Sequence, residues 1–169
     1  MDNIKNLKAT EGVEKLRELV TAINICLFST NLKRHNGAMC RPMSAQEVDD
    51  EGNIWFFSGL NSDKNSEIQE DNLVQLVFSH PGKSSYMIVN GVAEISTDRK
   101  KIEELWSPMI KIWFEGGKDD PNLSLIKVST RSAYYWDTDG NKVVNFFKML
   151  ASVATGSDLV SGVEGSIKV

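Results

Sequence analysis

Three strand-like runs follow one another early in this chain, separated by turns too short to hold a crossover helix. They cover residues 25–30, 38–45 and 53–58, with turns at Asn31 to Gly37 and Asp49 to Gly52. Two more, 73–79 and 85–96, are joined by His80-Pro81-Gly82-Lys83. Parallel neighbours need a connection of roughly a dozen residues or more, so strands joined this tightly pair antiparallel. The long alternation of strand and helix that builds a doubly wound sheet is missing. The expected fold is mainly β (α+β), an antiparallel, closed or split β-barrel of about six strands with peripheral helices.

The helices are read from periodicity and caps. Val13, Leu16, Leu19, Val20 and Ile23 recur at helical spacing, which predicts an amphipathic helix over 11–22 with Thr10 as its cap. A short helix is expected from Lys64 to Glu70, capped by Ser62. Thr97-Asp98 opens a helix carrying Ile102, Leu105, Trp106, Met109, Ile110 and Trp113, with Pro108 starting a second segment. The spacing of seven puts Trp106 and Trp113 on one face, an arrangement more typical of a core than of a cofactor site. A last strand spans Ser124 to Trp136, and Asn141 caps a final helix with Val144, Phe147, Leu150, Ala151 and Ala154 on one stripe. Asn90-Gly91 interrupts the fifth strand, where a glycine marks a bulge or a close backbone approach. The stretch from Gly156 is rich in Gly and Ser and reads as loose. A folded domain over 1–155 and a flexible tail over 156–169 are therefore expected.

Composition removes whole classes of function. A chain of 169 residues can bury a real core as one domain. Its net charge of −4 argues against nucleic acid as a partner. The start, Met1-Asp2-Asn3-Ile4-Lys5, lacks a signal-peptide pattern, and no apolar run approaches the roughly 18 residues of a membrane span. Cys26 and Cys40 fall in strands without metal-ligand spacing, so a reduced, cytoplasmic protein with no metal is expected. Asp137-Thr138-Asp139-Gly140-Asn141 is no calcium loop, because Lys148 stands where a bidentate Glu belongs. His35 and His80 lie in turns. No nucleotide loop or nucleophile motif is present, and no side chain stands out as a general acid or base, so catalytic residues are unknown.

Three segments carry chemistry: Cys40-Arg41-Pro42-Met43-Ser44, Trp55-Phe56-Phe57-Ser58 and Ser62-Asp63-Lys64. Each joins a residue able to hold a phosphate to a strand-like run. A phosphate that leaves water needs fixed donors, and Arg41, Ser58, Ser62 and Lys64 supply them. Lys64 is also misplaced by ordinary rules, since a helix N-terminus repels cations unless an anion is there. Pro42 in mid-strand implies an edge or a bulge, where a ring could lie against backbone. The neighbouring aromatic, Pro and Met positions could cover a flat apolar ring. The combination suggests a phosphorylated cofactor with a large planar head.

In order and spacing these segments resemble the pyridoxamine-phosphate-oxidase-like FMN-binding split barrels, general stress protein 26 branch. The resemblance extends through Val89-Asn90-Gly91 before Ala93-Glu94, Trp106, Trp113-Phe114-Glu115-Gly116-Gly117-Lys118-Asp119-Asp120-Pro121 and Tyr135-Trp136-Asp137, over about residues 10–155. It implies Arg41 as a phosphate ligand, with Ser62 and Lys64 as a second clamp. It places Pro42, Met43 and Ser44 beside the flavin ring, and Phe57 and Ser58 as an aromatic-hydroxyl pair. It makes Tyr86 a flavin-edge contact, Trp113 a further candidate contact, and Trp136 an aromatic reaching the cofactor across a homodimer interface. Two departures stand out. Glu115 replaces the Pro common before Gly-Gly, and no Arg follows Arg131, where true pyridoxamine phosphate oxidases carry an Arg-and-His segment. Oxidation of vitamin B6 is therefore not expected.

Three functions follow from the resemblance. The first is an FMN-binding flavoprotein acting as an oxidoreductase, its reductant and acceptor unknown, with FAD as the alternative cofactor. The second is a non-catalytic module that stores flavin or senses stress. The third, least favoured, is a haem-handling relative, which would need His35 or His80 as an axial ligand.

Overall fold

The computed structural model describes residues 3–33, 37–138 and 162–169. Its strands are β1 (Asn3–Ile4), β2 (Leu7–Lys8), β3 (Ile25–Thr30), β4 (Met39–Val48), β5 (Asn53–Gly59), β6 (Leu73–His80), β7 (Ser85–Ser96), β8 (Leu123–Thr138) and β9 (Gly162–Lys168). Its helices are α1 (Ala9–Ile23), α2 (Asp63–Glu70) and α3 (Arg99–Leu105). Six strands close on themselves in the order β8-β5-β4-β3-β6-β7, with β7 returning to β8, and every pairing among them is antiparallel. This is the expected barrel.

β8 makes closure possible by its length. Its first part pairs with β5, its second part with β9, and β7 runs along the other side of both. The β7 ladder shifts register between Asn90 and Gly91, as the interrupted strand implied. A Cβ at Gly91 would stand 2.7 Å from the Ser129 carbonyl oxygen, so the close approach requires glycine. Alternate residues point inward and fill the barrel with Phe28, Phe56, Leu76, Phe78, Met87, Val89, Ile126 and Val128, all buried. Phe28 and Phe56 meet edge to face at 5.3 Å. Leu16, Leu19 and Val20 of α1 join this core. A second cluster forms outside the barrel, where Ile102, Ile110 and Phe114 cover Leu123 and Leu125, with Phe57 and Trp106 packed alongside.

Several expectations are corrected. Helix α1 begins at Ala9 after Lys8, which makes no side-chain cap, so Thr10 lies inside the helix. Helix α3 ends at Leu105, and Pro108–Ile112 forms a separate 3-10 turn. Pro108 disfavours helical backbone at Ser107, and Trp106 and Trp113 do not share a helix face. Residues 162–168, within the stretch expected to be loose, form β9, antiparallel to β8 and parallel to β1 and β2; residues 156–161 lie outside the described residues. Its apolar anchor is the fully buried Ile167, and Asn6 Oδ1 accepts from both the backbone and the hydroxyl of Ser166. The final helix expected from Asn141 lies outside the described residues, as does His35.

Candidate functional site

The alternation of β4 sorts its residues. Arg41, Met43 and Ala45 face inward, and Pro42 and Ser44 face out. Gln46, next in the alternation, lies on the same outer surface, where the register shifts between Ala45 and Glu47, and it donates to the Ser44 carbonyl at 2.9 Å. On β5, Phe57 faces out while Ser58 faces in. Between these strands and the 3-10 turn lies a cavity of about 380 Å³, lined by Pro42, Met43, Ser44, Phe57, Ser58, Lys64 and Trp113, together with Gln46, Gly59, Ile110, Phe114 and Asn122. Seven residues singled out in the sequence thus share one hollow. A larger hollow of about 600 Å³ sits beside Glu70, Asp71 and Glu94. Its acidic wall would repel a phosphate.

A buried polar network builds the end of the cavity where α2 begins. Ser62 caps α2, its Oγ accepting the Asn65 N–H at 3.3 Å. Ser58 Oγ donates to Asn65 Oδ1 at 2.7 Å, Asn65 Nδ2 donates to Ser124 Oγ at 3.1 Å, and Ser124 Oγ donates to the Ser58 carbonyl at 2.9 Å. The single Ser58 proton is therefore committed to Asn65. Ser62 Oγ lies 3.4 Å from Ser58 Oγ and is the donor there; Ser62 does not itself line the cavity.

Two cations meet at this end, in different circumstances. Arg41 Nη2 donates to Glu67 Oε2 at 2.8 Å, and its Nη1 donates to Thr30 Oγ1 at 3.3 Å. Thr30, fully buried, also donates to Glu67 Oε2. Arg41 does not line the cavity. Lys64 lines it and forms no hydrogen bond or ion pair with any described residue. Burial pushes the Lys64 ammonium below the ordinary lysine range, the Arg41 charge pushes the same way, and Glu67 offsets part of this. A half-buried cation held beside a second cation suits an anionic ligand.

The other candidates lie elsewhere. Trp113 stands at the cavity rim, 79% exposed. Tyr86 and Trp136 are directly opposed across β7 and β8, and Trp136 packs on Tyr134 with ring centroids 4.8 Å apart. Neither lines the cavity. Sequence reasoning missed Gln46, Asn122 and Glu67. Alternation from Pro42 and Ser44 reaches Gln46 one residue beyond the strand expected over 38–45.

A family profile described as "Pyridoxamine 5'-phosphate oxidase like" matches residues 11–159. Protein bli-3 of Neurospora crassa is 23% identical over 155 residues, covering 86% of this chain and 74% of its own. A candidate general stress protein 26 from Jannaschia sp. CCS1 superposes with a TM-score of 0.75 at 25% identity, covering 89% of this chain and 95% of its own. The general stress FMN/FAD binding protein of Xanthomonas citri gives a TM-score of 0.65 at 26% identity, over 77% of this chain and 90% of its own.

Proposed function

The chain belongs to the pyridoxamine 5'-phosphate oxidase-like family, and on that premise we propose that it is an FMN-binding flavoprotein of the general stress protein type. The observation that carries this reading is Lys64, a half-buried ammonium with no hydrogen bond or ion pair among the described residues, at the end of a cavity whose other walls include Pro42, Phe57 and Trp113. One end suits a phosphate and the rest suits a flat apolar ring. Lys64, the Ser62 hydroxyl and the first turn of α2 would hold the phosphate, with Arg41 close behind. Pro42, Ser44, Gln46 and Phe57 would border the ring. The structural neighbour from Xanthomonas citri, called an FMN/FAD binding protein, supports the same cofactor class.

Bound flavin would supply electron and hydride transfer. This chain's own residues bind and orient it. Lys64 is the one basic or acidic side chain lining the cavity among the described residues, which fits an oxidoreductase whose redox chemistry belongs to its cofactor. The unpaired thiols of Cys26 and Cys40 fit a reducing, cytoplasmic setting. No helix among the described residues is long and apolar enough to cross a membrane. The test is the visible spectrum and extracted cofactor of freshly purified protein, followed by addition of a nicotinamide reductant. A flavin spectrum bleached by reductant and restored by an acceptor is expected. A colourless protein that takes up no added FMN would overturn the reading, and a flavin that never bleaches would favour storage.

The same reading includes a homodimer. On the outer surface of the barrel Pro42, Leu27, Val77, Ile88 and Tyr134 are successive neighbours across five strands. Ile25 and Leu27 on this surface are 58% and 49% exposed. An apolar row of this kind favours a partner. At about 4.8 Å per strand the row spans about 19 Å, from Pro42 at the cavity edge to Tyr134, Tyr86 and Trp136 at the other. A two-fold axis near Val77 would bring the aromatic edge of each copy to the cavity edge of the other. Leu27→Glu should then give a monomer in sedimentation at micromolar concentration. Wild-type protein that is monomeric while holding flavin tightly would sink the dimer.

A further inference from the structure

A phosphate that meets one lysine still has oxygens that need neutral donors. The hydroxyls at the cavity are already spent within the chain. Ser58 donates to Asn65 Oδ1 at 2.7 Å and Ser44 donates to Asn24 Oδ1 at 2.8 Å, while Ser62, just outside the cavity, donates to Ser58. Two carboxamides also line the cavity. Gln46 donates to the Ser44 carbonyl, on the wall that would border the ring. Asn122 accepts the Asn61 N–H on its Oδ1 at 3.0 Å, and its Nδ2 forms no hydrogen bond with any described residue.

The direction of the Asn122 amide is fixed. Only an oxygen can receive the Asn61 N–H, so Oδ1 faces that turn and Nδ2 faces away from it. The backbone of Asn122 is held at both polar groups: its carbonyl accepts the Leu60 N–H at 2.6 Å, and its N–H donates to Asp120 Oδ1 at 2.9 Å. Gly59, which also lines the cavity, leaves the amide room, since a Cβ there would stand 3.1 Å from Nδ2. Asn61 directly precedes Ser62, the cap of α2, so the amide lies at the turn that leads to Lys64. We propose that Asn122 is the neutral donor to the ligand's phosphate and, with Lys64, sets the preference for a phosphorylated over an unphosphorylated flavin. The proposal rests on the flavin reading above.

The test titrates apoprotein with FMN and with riboflavin, using flavin fluorescence to obtain both affinities. Asn122→Ala removes the donor and introduces no charge. The Asn61 bond lost with it is exposed to water, and the Leu60 N–H keeps its partner, which is backbone. FMN should bind this variant about 5- to 20-fold more weakly, with riboflavin within about twofold of wild type. Gly59→Ala is a second variant that removes no group. Its methyl presses on Nδ2, so it should lower the ratio of FMN to riboflavin affinity about 2- to 5-fold in wild type and leave that ratio unchanged in Asn122→Ala. An unchanged FMN affinity in Asn122→Ala, or equal losses for FMN and riboflavin, would overturn the proposal. So would the same fall in the ratio from Gly59→Ala in both backgrounds. Failure of the flavin reading looks different: wild type would then bind FMN no more tightly than riboflavin, and Lys64→Met would change neither.

Discussion

Lys64 and Lys101 are two partly buried lysines in the first turns of two short helices, and their surroundings are opposite. Lys101 on α3 pairs with Glu47 of β4 and with Glu104 one turn on, and its ammonium lies 5.2 Å above the Trp55 ring. Burial alone would lower its pKa, but the hydrogen bonds and charges of the two carboxylates outweigh burial and push it up. Lys64 on α2 has the Arg41 guanidinium for a neighbour and a cavity in front, and its pKa is pushed down. A lysine satisfied by its own chain holds structure together. A lysine left unsatisfied at similar depth costs stability and is retained for what binds there. The contrast underlies the proposal that Lys64 is the functional cation and Lys101 a structural one.

The largest expected effect tests that assignment on the ligand side. Hydrogen bonds to a charged group contribute roughly 1.5–3 kcal/mol. Lys64→Met should therefore weaken FMN binding about 10- to 100-fold and leave riboflavin binding nearly unchanged. Lys101→Met should alter neither affinity. Parallel flavin titrations of the two variants decide the matter. Equal losses for FMN and riboflavin in Lys64→Met would mean that Lys64 shapes the cavity without reading a phosphate.

The next effect belongs to Lys101 and is read in stability. Removing it strands Glu47, whose side chain is 32% exposed, and uncovers the Trp55 ring. The loss should be about 1–2 kcal/mol, between that of an exposed pair and that of a fully buried one. Because the Lys101 pKa is raised on folding, its contribution is fully present below the ordinary lysine pKa. It fades as pH rises through the higher folded value. Urea unfolding at neutral and strongly alkaline pH measures both parts. A variant as stable as wild type at neutral pH would make the Glu47 pair ornamental.

Much of this contrast was legible in the sequence, and the illegible part has a common cause. Lys64 drew notice because a lysine in the first turn of a helix conflicts with the helix dipole, a purely local signal. Ser62 as a cap, Gly91 at a bulge and the antiparallel barrel were equally local. Glu67 was not readable, since a glutamate on a polar helix looks solvated until a strand 26 residues away presents Arg41. That partner also gives Arg41 a structural part, beside the ligand role that the sequence suggested. Arg41→Ala would remove the ion pair to Glu67 and the hydrogen bond to Thr30, so losses of stability and of FMN binding would arrive together. Strand β9 escaped notice for a related reason. Gly162, Gly165 and Ser166 have poor strand propensity, and the pairing with β8 and the N-terminal strands supplies what propensity does not. Gly165 is needed there, because an added Cβ would collide with the Lys5 carbonyl.

The smallest effect is the most discriminating, because its sign runs against the usual effect of a mutation. Lys64→Met keeps most of the side-chain stem and removes a charge held in a desolvated place beside Arg41. Without flavin the variant should be more stable than wild type, by about 0.5–1 kcal/mol or about 1–4 °C in melting temperature. The pH dependence has a definite sign. The folded pKa of Lys64 lies below its unfolded value, so the unfolded chain binds more protons between the two and wild-type stability rises with pH there. The advantage of the variant should be full at neutral pH and shrink as pH climbs toward the ordinary lysine value. Saturating FMN should reverse the order, since ligand at about 100 times its dissociation constant adds about 2.7 kcal/mol to the protein that binds it. The two melting curves should therefore exchange places when FMN is added and keep their order when riboflavin is added. A variant less stable than wild type without flavin would mean that Lys64 is satisfied by the chain after all, and the difference between the two lysines would disappear.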